Sequence, residues 1–146
     1  MSDLKRTVLY QAHLDAGATM VDFGGWDMPI QYPDGIVAEH LYCRRHCGIF
    51  DVSHMGRIDV EGRDMVAFLQ HVLSSNVLAL DLNQAQYCII PDVNGYAIDD
   101  AYLYRFEEGR YFLVVNAGNI EKDWAHLTAE AKNFDVRLTN VSAEYA

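Results

Sequence analysis

The stretch Gln84-Ala85-Gln86-Tyr87-Cys88-Ile89-Ile90, Asp92-Val93-Asn94-Gly95, Tyr96-Ala97-Ile98-Asp99-Asp100-Ala101-Tyr102-Leu103-Tyr104-Arg105-Phe106 decides the fold. Aromatic and aliphatic residues fill both flanks, and Asn94-Gly95 between them marks a tight turn. The reading is a hairpin, with a strand over 84–90 and its return over 96–106. Glu107-Glu108-Gly109 is a second turn, and the apolar run Tyr111-Phe112-Leu113-Val114-Val115 reads as a strand buried on both faces.

Working outward, 56–61 is a strand that Gly62 breaks, and 63–73 returns as a helix presenting Met65, Phe68, Leu69 and Val72. Ile120, Trp124 and Leu127 are spaced for another helix, and 136–138 reads as a last strand. Strand, helix, three antiparallel strands, helix, strand is an α+β order. It implies a mainly antiparallel sheet with helices packed on one side.

Toward the amino terminus, 8–16 reads as a short amphipathic helix stopped by Gly17. A strand over 20–23 runs into Gly24-Gly25, and Pro29 and Pro33 bracket a loop-like crossing. Asp34 is placed to cap a helix that runs to about His46, with Gly48 after it. These first fifty residues do not join the later unit. The expected division is 1–54 as part of a discontinuous domain, 55–140 as the α+β domain, and 141–146 as the return toward the first.

Composition narrows the function classes. The chain has 146 residues, 51% of them apolar and 22% charged, which suits a globular domain. Eleven Lys and Arg stand against twenty-one Asp and Glu, a formal net charge of -10. Nucleic-acid binding rests on cations that neutralise phosphates, so none is expected. The sequence has no bilayer-length apolar run and no secretory apolar segment, so the expectation is a soluble cytoplasmic protein without membrane contact. Three cysteines make no even disulfide set and read as free thiols.

Several side-chain groups invite chemistry. Neighbours on a strand point to opposite faces, so only one of Asp99 and Asp100 can enter a given pocket, the other facing solvent or a turn. The pattern alone favours reading both as surface acids beside a turn. Tyr102 and Tyr104 share the Asp100 face, with Tyr87 on the partner strand. Such a carboxylate among rings could hold a flat polar heterocycle, or the tyrosines could be ordinary cross-strand pairs. His40, Cys43 and Cys47 recur at i, i+3 and i+7, but no second element completes a zinc site. They read as a buried helix face, and no metal is expected. Ser53-His54 are adjacent and diverge, and no Gly-x-Ser-x-Gly elbow is present, so a hydrolase is rejected. Asp92, Asn94 and Gly95 read as a turn rather than a calcium loop.

Four strings in order carry a resemblance: Phe23-Gly24-Gly25-Trp26-Asp27-Met28-Pro29, Phe50-Asp51-Val52-Ser53-His54-Met55-Gly56, Asn94-Gly95-Tyr96-Ala97-Ile98-Asp99-Asp100 and Leu113-Val114-Val115-Asn116-Ala117. Together the sequence resembles the amino-terminal part of the aminomethyltransferase (T-protein) family of the glycine cleavage system. The resemblance implies a folate-binding cloverleaf fold and transfer of an aminomethyl group from lipoylated H-protein to tetrahydrofolate, with release of ammonia. It also implies that Asp100 is the family's catalytic aspartate, orienting the folate nitrogen and stabilising charge on the transferred carbon. Met55, Tyr87, Tyr104 and Asn116 fall where the family contacts folate. Tyr96 departs from the family, which commonly has a second glycine there. The family continues beyond the position of Ala146, which implies an amino-terminal fragment inactive alone. The alternatives are a folate-dependent demethylase or oxidase-coupled one-carbon transferase, or a non-catalytic module that self-associates through the surface its missing part would cover.

Overall fold

The computed structural model describes residues 4–146. It divides into two compact units, Met1–His54 with Ala146, and Met55–Tyr145.

In the first unit, α1 (Tyr10–Asp15) precedes the antiparallel pair β1 (Thr19–Phe23) and β2 (Trp26–Gln31), followed by α2 (Ile36–Arg45). The expected loop-like crossing at Pro29 is therefore a strand. In a two-stranded ribbon each strand is an edge, where a proline need not donate to the ladder. Asp34 does not cap α2. Gly35, at φ 80°, turns the chain into the helix without any side-chain cap, and Glu39 in the first turn accepts the Tyr32 N–H at 2.7 Å.

The second unit is a five-stranded antiparallel sheet. Its strands are β3 (Gly56–Glu61), β4 (Gln84–Pro91), β5 (Ala97–Glu107), β6 (Arg110–Val115) and β7 (Arg137–Asn140), in spatial order β4-β5-β6-β3-β7. Two helices, α3 (Met65–Val72) and α4 (Ile120–Glu130), cover one face. The α3 helix starts later than expected because Asp64 is occupied: its carboxylate accepts the Asp135 N–H at 2.9 Å, and its N–H donates to the Asp135 carbonyl at 3.1 Å.

Strand alternation assigns the core. Ile58 and Val60, Cys88 and Ile90, Ala101 and Leu103, and Tyr111, Leu113 and Val115 meet Phe68, Leu69, Val72 and Leu127 from the helices. Each Leu or Phe so enclosed contributes roughly 1.5–3 kcal/mol. Burial also pushes the Cys88 thiol up to about 11. β6 is not buried on both faces as expected, since Phe112 and Val114 are only half-covered on the sheet's open side. Residues 141–145 fold back along this unit, with the Val141 N–H on the Arg57 carbonyl at 2.9 Å and the Tyr145 ring edge-on to Phe112.

Candidate functional site

The pleat of β5 sends its odd-numbered residues to the helices and its even-numbered residues to the open face. Asp99 is accordingly buried in line with Ala101 and Leu103, while Asp100 is half-covered on the other side with Tyr102 and Tyr104. The expectation that the second acid faces solvent or a turn is therefore corrected: Asp99 lies in the core. A carboxylate is tolerated there because three N–H groups reach it. Asn116 Nδ2 donates at 3.0 Å, Asn119 Nδ2 at 2.8 Å and the Asn116 backbone N–H at 3.3 Å. Burial opposes its charge, but hydrogen bonds from Asn116, Asp123 and Asn119 outweigh that and lower its pKa.

Asp100 is met by two residues. Asn116 stands one residue past the end of β6, beside Asp100 on the neighbouring strand, and its Nδ2 donates to Asp100 Oδ1 at 2.8 Å. Tyr87 pairs with Tyr102 in the β4–β5 register, and its phenol reaches diagonally to the Asp100 carboxylate. That hydrogen bond is the first cause of a raised Tyr87 pKa, with burial and the nearby charge adding to it.

Met55 immediately precedes β3, at the strand end where Gly56 pairs with Val115, and is half-buried. Tyr104 lies farther along the same face. Four residues along β5 from Asp100, about 13 Å away, it stacks on Phe106 at 5.3 Å and meets Phe112 edge-on at 6.4 Å. The structure thus brings Asp100, Tyr87 and Asn116 together, sets Met55 at the same end of the sheet, and links Tyr104 to them only through Tyr102, whose ring lies 5.6 Å from Tyr87 and 6.2 Å from Tyr104.

The fold at this site has solved and catalogued counterparts. The GCVT N-terminal domain family matches residues 9–146. The chain belongs to this family. It is 52% identical over 143 residues to an aminomethyltransferase of Deinococcus deserti, covering 98% of this chain and 40% of that protein. It is 50% identical to an aminomethyltransferase of Thermus thermophilus, with 98% and 41% covered. The crystal structure of glycine cleavage system aminomethyltransferase T from Bartonella henselae superposes with a TM-score of 0.89 at 40% identity, over 95% of this chain and 38% of that one. The chain therefore spans about two fifths of the length of these relatives.

Sequence reasoning missed Asn119 and Asp123, which join Asp99 from the helix side. A signal was present, because Asp123 stands between Ile120 and Leu127, on the stripe that α4 turns to the core. It also missed a buried network in the first unit. Asp51 Oδ2 accepts from Thr7 Oγ1 at 2.6 Å and lies 2.8 Å from His13 Nε2, whose Nδ1 is 2.8 Å from the Tyr32 hydroxyl. Ser53 donates to Asp51 Oδ1 through its hydroxyl and its backbone N–H. Burial opposes the Asp51 charge, yet the His13, Ser53 and Thr7 hydrogen bonds hold its carboxyl well below the usual range.

The buried face expected for His40, Cys43 and Cys47 is not found. α2 ends at Arg45, before Cys47, and has no buried residue, and both thiols are exposed. Among the described residues no group of three or more His, Cys, Asp or Glu side chains is placed to hold a metal ion. No helix among them is long and apolar enough to cross a membrane. Asp92 closes its turn by accepting the Asn94 and Tyr96 N–H groups at 2.9 and 2.8 Å.

Proposed function

We propose that the chain is the amino-terminal part of a glycine-cleavage aminomethyltransferase, and that the open face around Asp100 is one wall of its tetrahydrofolate site. A cytoplasmic location and docking of lipoylated H-protein go with this reading. The observation that carries it is the Tyr87–Asp100–Asn116 arrangement on the sheet face turned away from the core. Family membership and the aminomethyltransferase relatives support the same assignment.

The residues suit a folate. A flat heterocycle with ring nitrogens needs aromatic surface and a fixed acceptor, and Tyr87 and Tyr102 are each about half exposed beside the Asp100 carboxylate. When bound, tetrahydrofolate supplies the nitrogen that takes the one-carbon unit from the lipoyl arm. Asp100 serves as acceptor for an N–H and as a negative group facing the charge that develops at the transferred carbon. Asn116 holds its rotamer, so this orientation is set before the ligand arrives. Because both reactants ride on large carriers, positioning contributes more than proton transfer. Met55 borders the same strand end, and Tyr104 contacts a more distant part of the ligand along β5.

The experiment is to supply the protein in its full reading frame with aminomethylated H-protein and tetrahydrofolate. Ammonia and methylene-tetrahydrofolate in equal amounts are expected. No ammonia, together with turnover of another methyl donor, would replace this reading with the demethylase or oxidase-coupled one.

A further inference from the structure

Asp123 is the group behind this site that the proposed reaction does not use. It is fully buried on α4, one turn after Asn119 and on the same side of the helix. Among the described residues no N–H or O–H donor reaches either of its oxygens as a carboxylate, and it meets the side chain of Asp99. Two buried carboxylates in contact repel, and each costs several kcal/mol to remove from water. One shared proton removes the repulsion and leaves a single buried charge. Asp99 already accepts three N–H groups, which favour its charged form, whereas Asp123 has none. The proton therefore belongs on Asp123.

We propose that Asp123 is held as a neutral carboxylic acid whose O–H donates to Asp99, and that this pair fixes Asp100 through Asn116. Asp123 is thus a positioning residue for the open-face site, although it lies on the opposite side of the sheet. The chain of contacts is continuous: Asp123 to Asp99, Asp99 to Asn116 Nδ2 at 3.0 Å, and that same nitrogen to Asp100 at 2.8 Å.

The surroundings agree with a neutral acid. The ionisable groups bearing on Asp123 are Asp99 and Asp100 of β5 and Lys122 of its own helix. Lys122 is committed elsewhere, donating to the Ile98 carbonyl at 2.6 Å. β6 and β3 turn Val115 and Gly56 toward this end of α4, where Ile120 packs. From α3, His71 pairs with Glu130 at 2.9 Å, about two turns farther along. Lys132, just beyond α4, is exposed. Burial, then the Asp99 contact, pushes the Asp123 carboxyl up to about 7. Below that pH the pair is intact. Above it the two carboxylates repel, and Asn116 is displaced with them. The proton is shared by the pair, so the midpoint belongs to both acids.

An effect on turnover rests on the proposed reaction, but the positioning itself does not. The test is therefore made on this chain without substrate, by NMR of carboxyl-labelled aspartate and of the Asn116 side-chain amide from pH 5 to 9. One carboxyl and the Asn116 amide are expected to titrate together with a midpoint near 7. Asp123→Asn, which keeps an N–H donor for Asp99, is expected to hold the Asn116 amide near its acid-side shift at every pH. An Asn116 amide that does not move across this range overturns the proposal, as does one whose midpoint survives in Asp123→Asn. Should that variant fail to fold, the unsubstituted chain decides alone. A failure of the aminomethyl-transfer assay leaves these shifts unaffected.

Discussion

Asn116 Nδ2 lies 2.8 Å from Oδ1 of Asp100. The same nitrogen also reaches the buried Asp99, so one amide ties the open face of the sheet to its core. It can do so because it stands just past the last β6 pair, where its side chain is no longer committed to a single face.

Asn116→Ala removes that tie and strips Asp99 of a side-chain donor in the core. Loss of a donor to a buried charged acceptor costs about 1–3 kcal/mol. Urea unfolding is expected to show a lower midpoint with an unchanged slope. An unchanged midpoint would mean that Asn119 and the backbone N–H of residue 116 satisfy Asp99 without the amide.

Tyr87 titrates above the ordinary 10.0 chiefly because its phenol donates to Asp100. Asp100→Asn removes the charge, so the Tyr87 pKa is expected to fall back toward 10.0. Ring-labelled tyrosine NMR of the two proteins gives the comparison. If Tyr87 titrates alike in both, the hydrogen bond is absent in solution.

Acid should loosen the first unit through Asp51. Its folded pKa lies below the ordinary 3.8, so its contribution is complete above that pH and is lost as pH falls through the lower, folded value. With Trp124 replaced by Phe, Trp26 fluorescence reports this unit alone. Asp51→Asn is expected to remove the acid-dependent part of the transition and to lower stability at neutral pH.

Gly56 has no room for a side chain. A Cβ there would sit 2.6 Å from Val115 Cγ2 and 2.8 Å from Ile120 Cγ1. Gly56→Ala is expected to cost about 1–3 kcal/mol, the usual range for overpacking. Thermal unfolding measures it, and a cost near zero would mean that the start of α4 gives way easily.

The hairpin from β4 to β6 was legible because Asn94-Gly95 and Gly109 punctuate runs of aromatic and aliphatic residues. β2 was not, since Pro29 suppresses a strand reading unless the sheet is known to have only two strands. The parity of Asp99 and Asp100 followed from the pleat. Which of the two enters the core did not, because that depends on Asn116 and Asn119 arriving from β6 and the helix side. The His13–Asp51 contact spans thirty-eight residues and leaves no periodic trace in the sequence.

The most direct test is Asp100→Asn in the protein's full reading frame, with kcat for aminomethyl transfer and Kd for tetrahydrofolate measured separately. A charge aimed at the transferred carbon predicts a kcat loss of roughly 10²–10³-fold with Kd shifted only a few-fold. A kcat close to that of the unsubstituted protein, or a Kd loss as large as the kcat loss, would contradict the role given to Asp100.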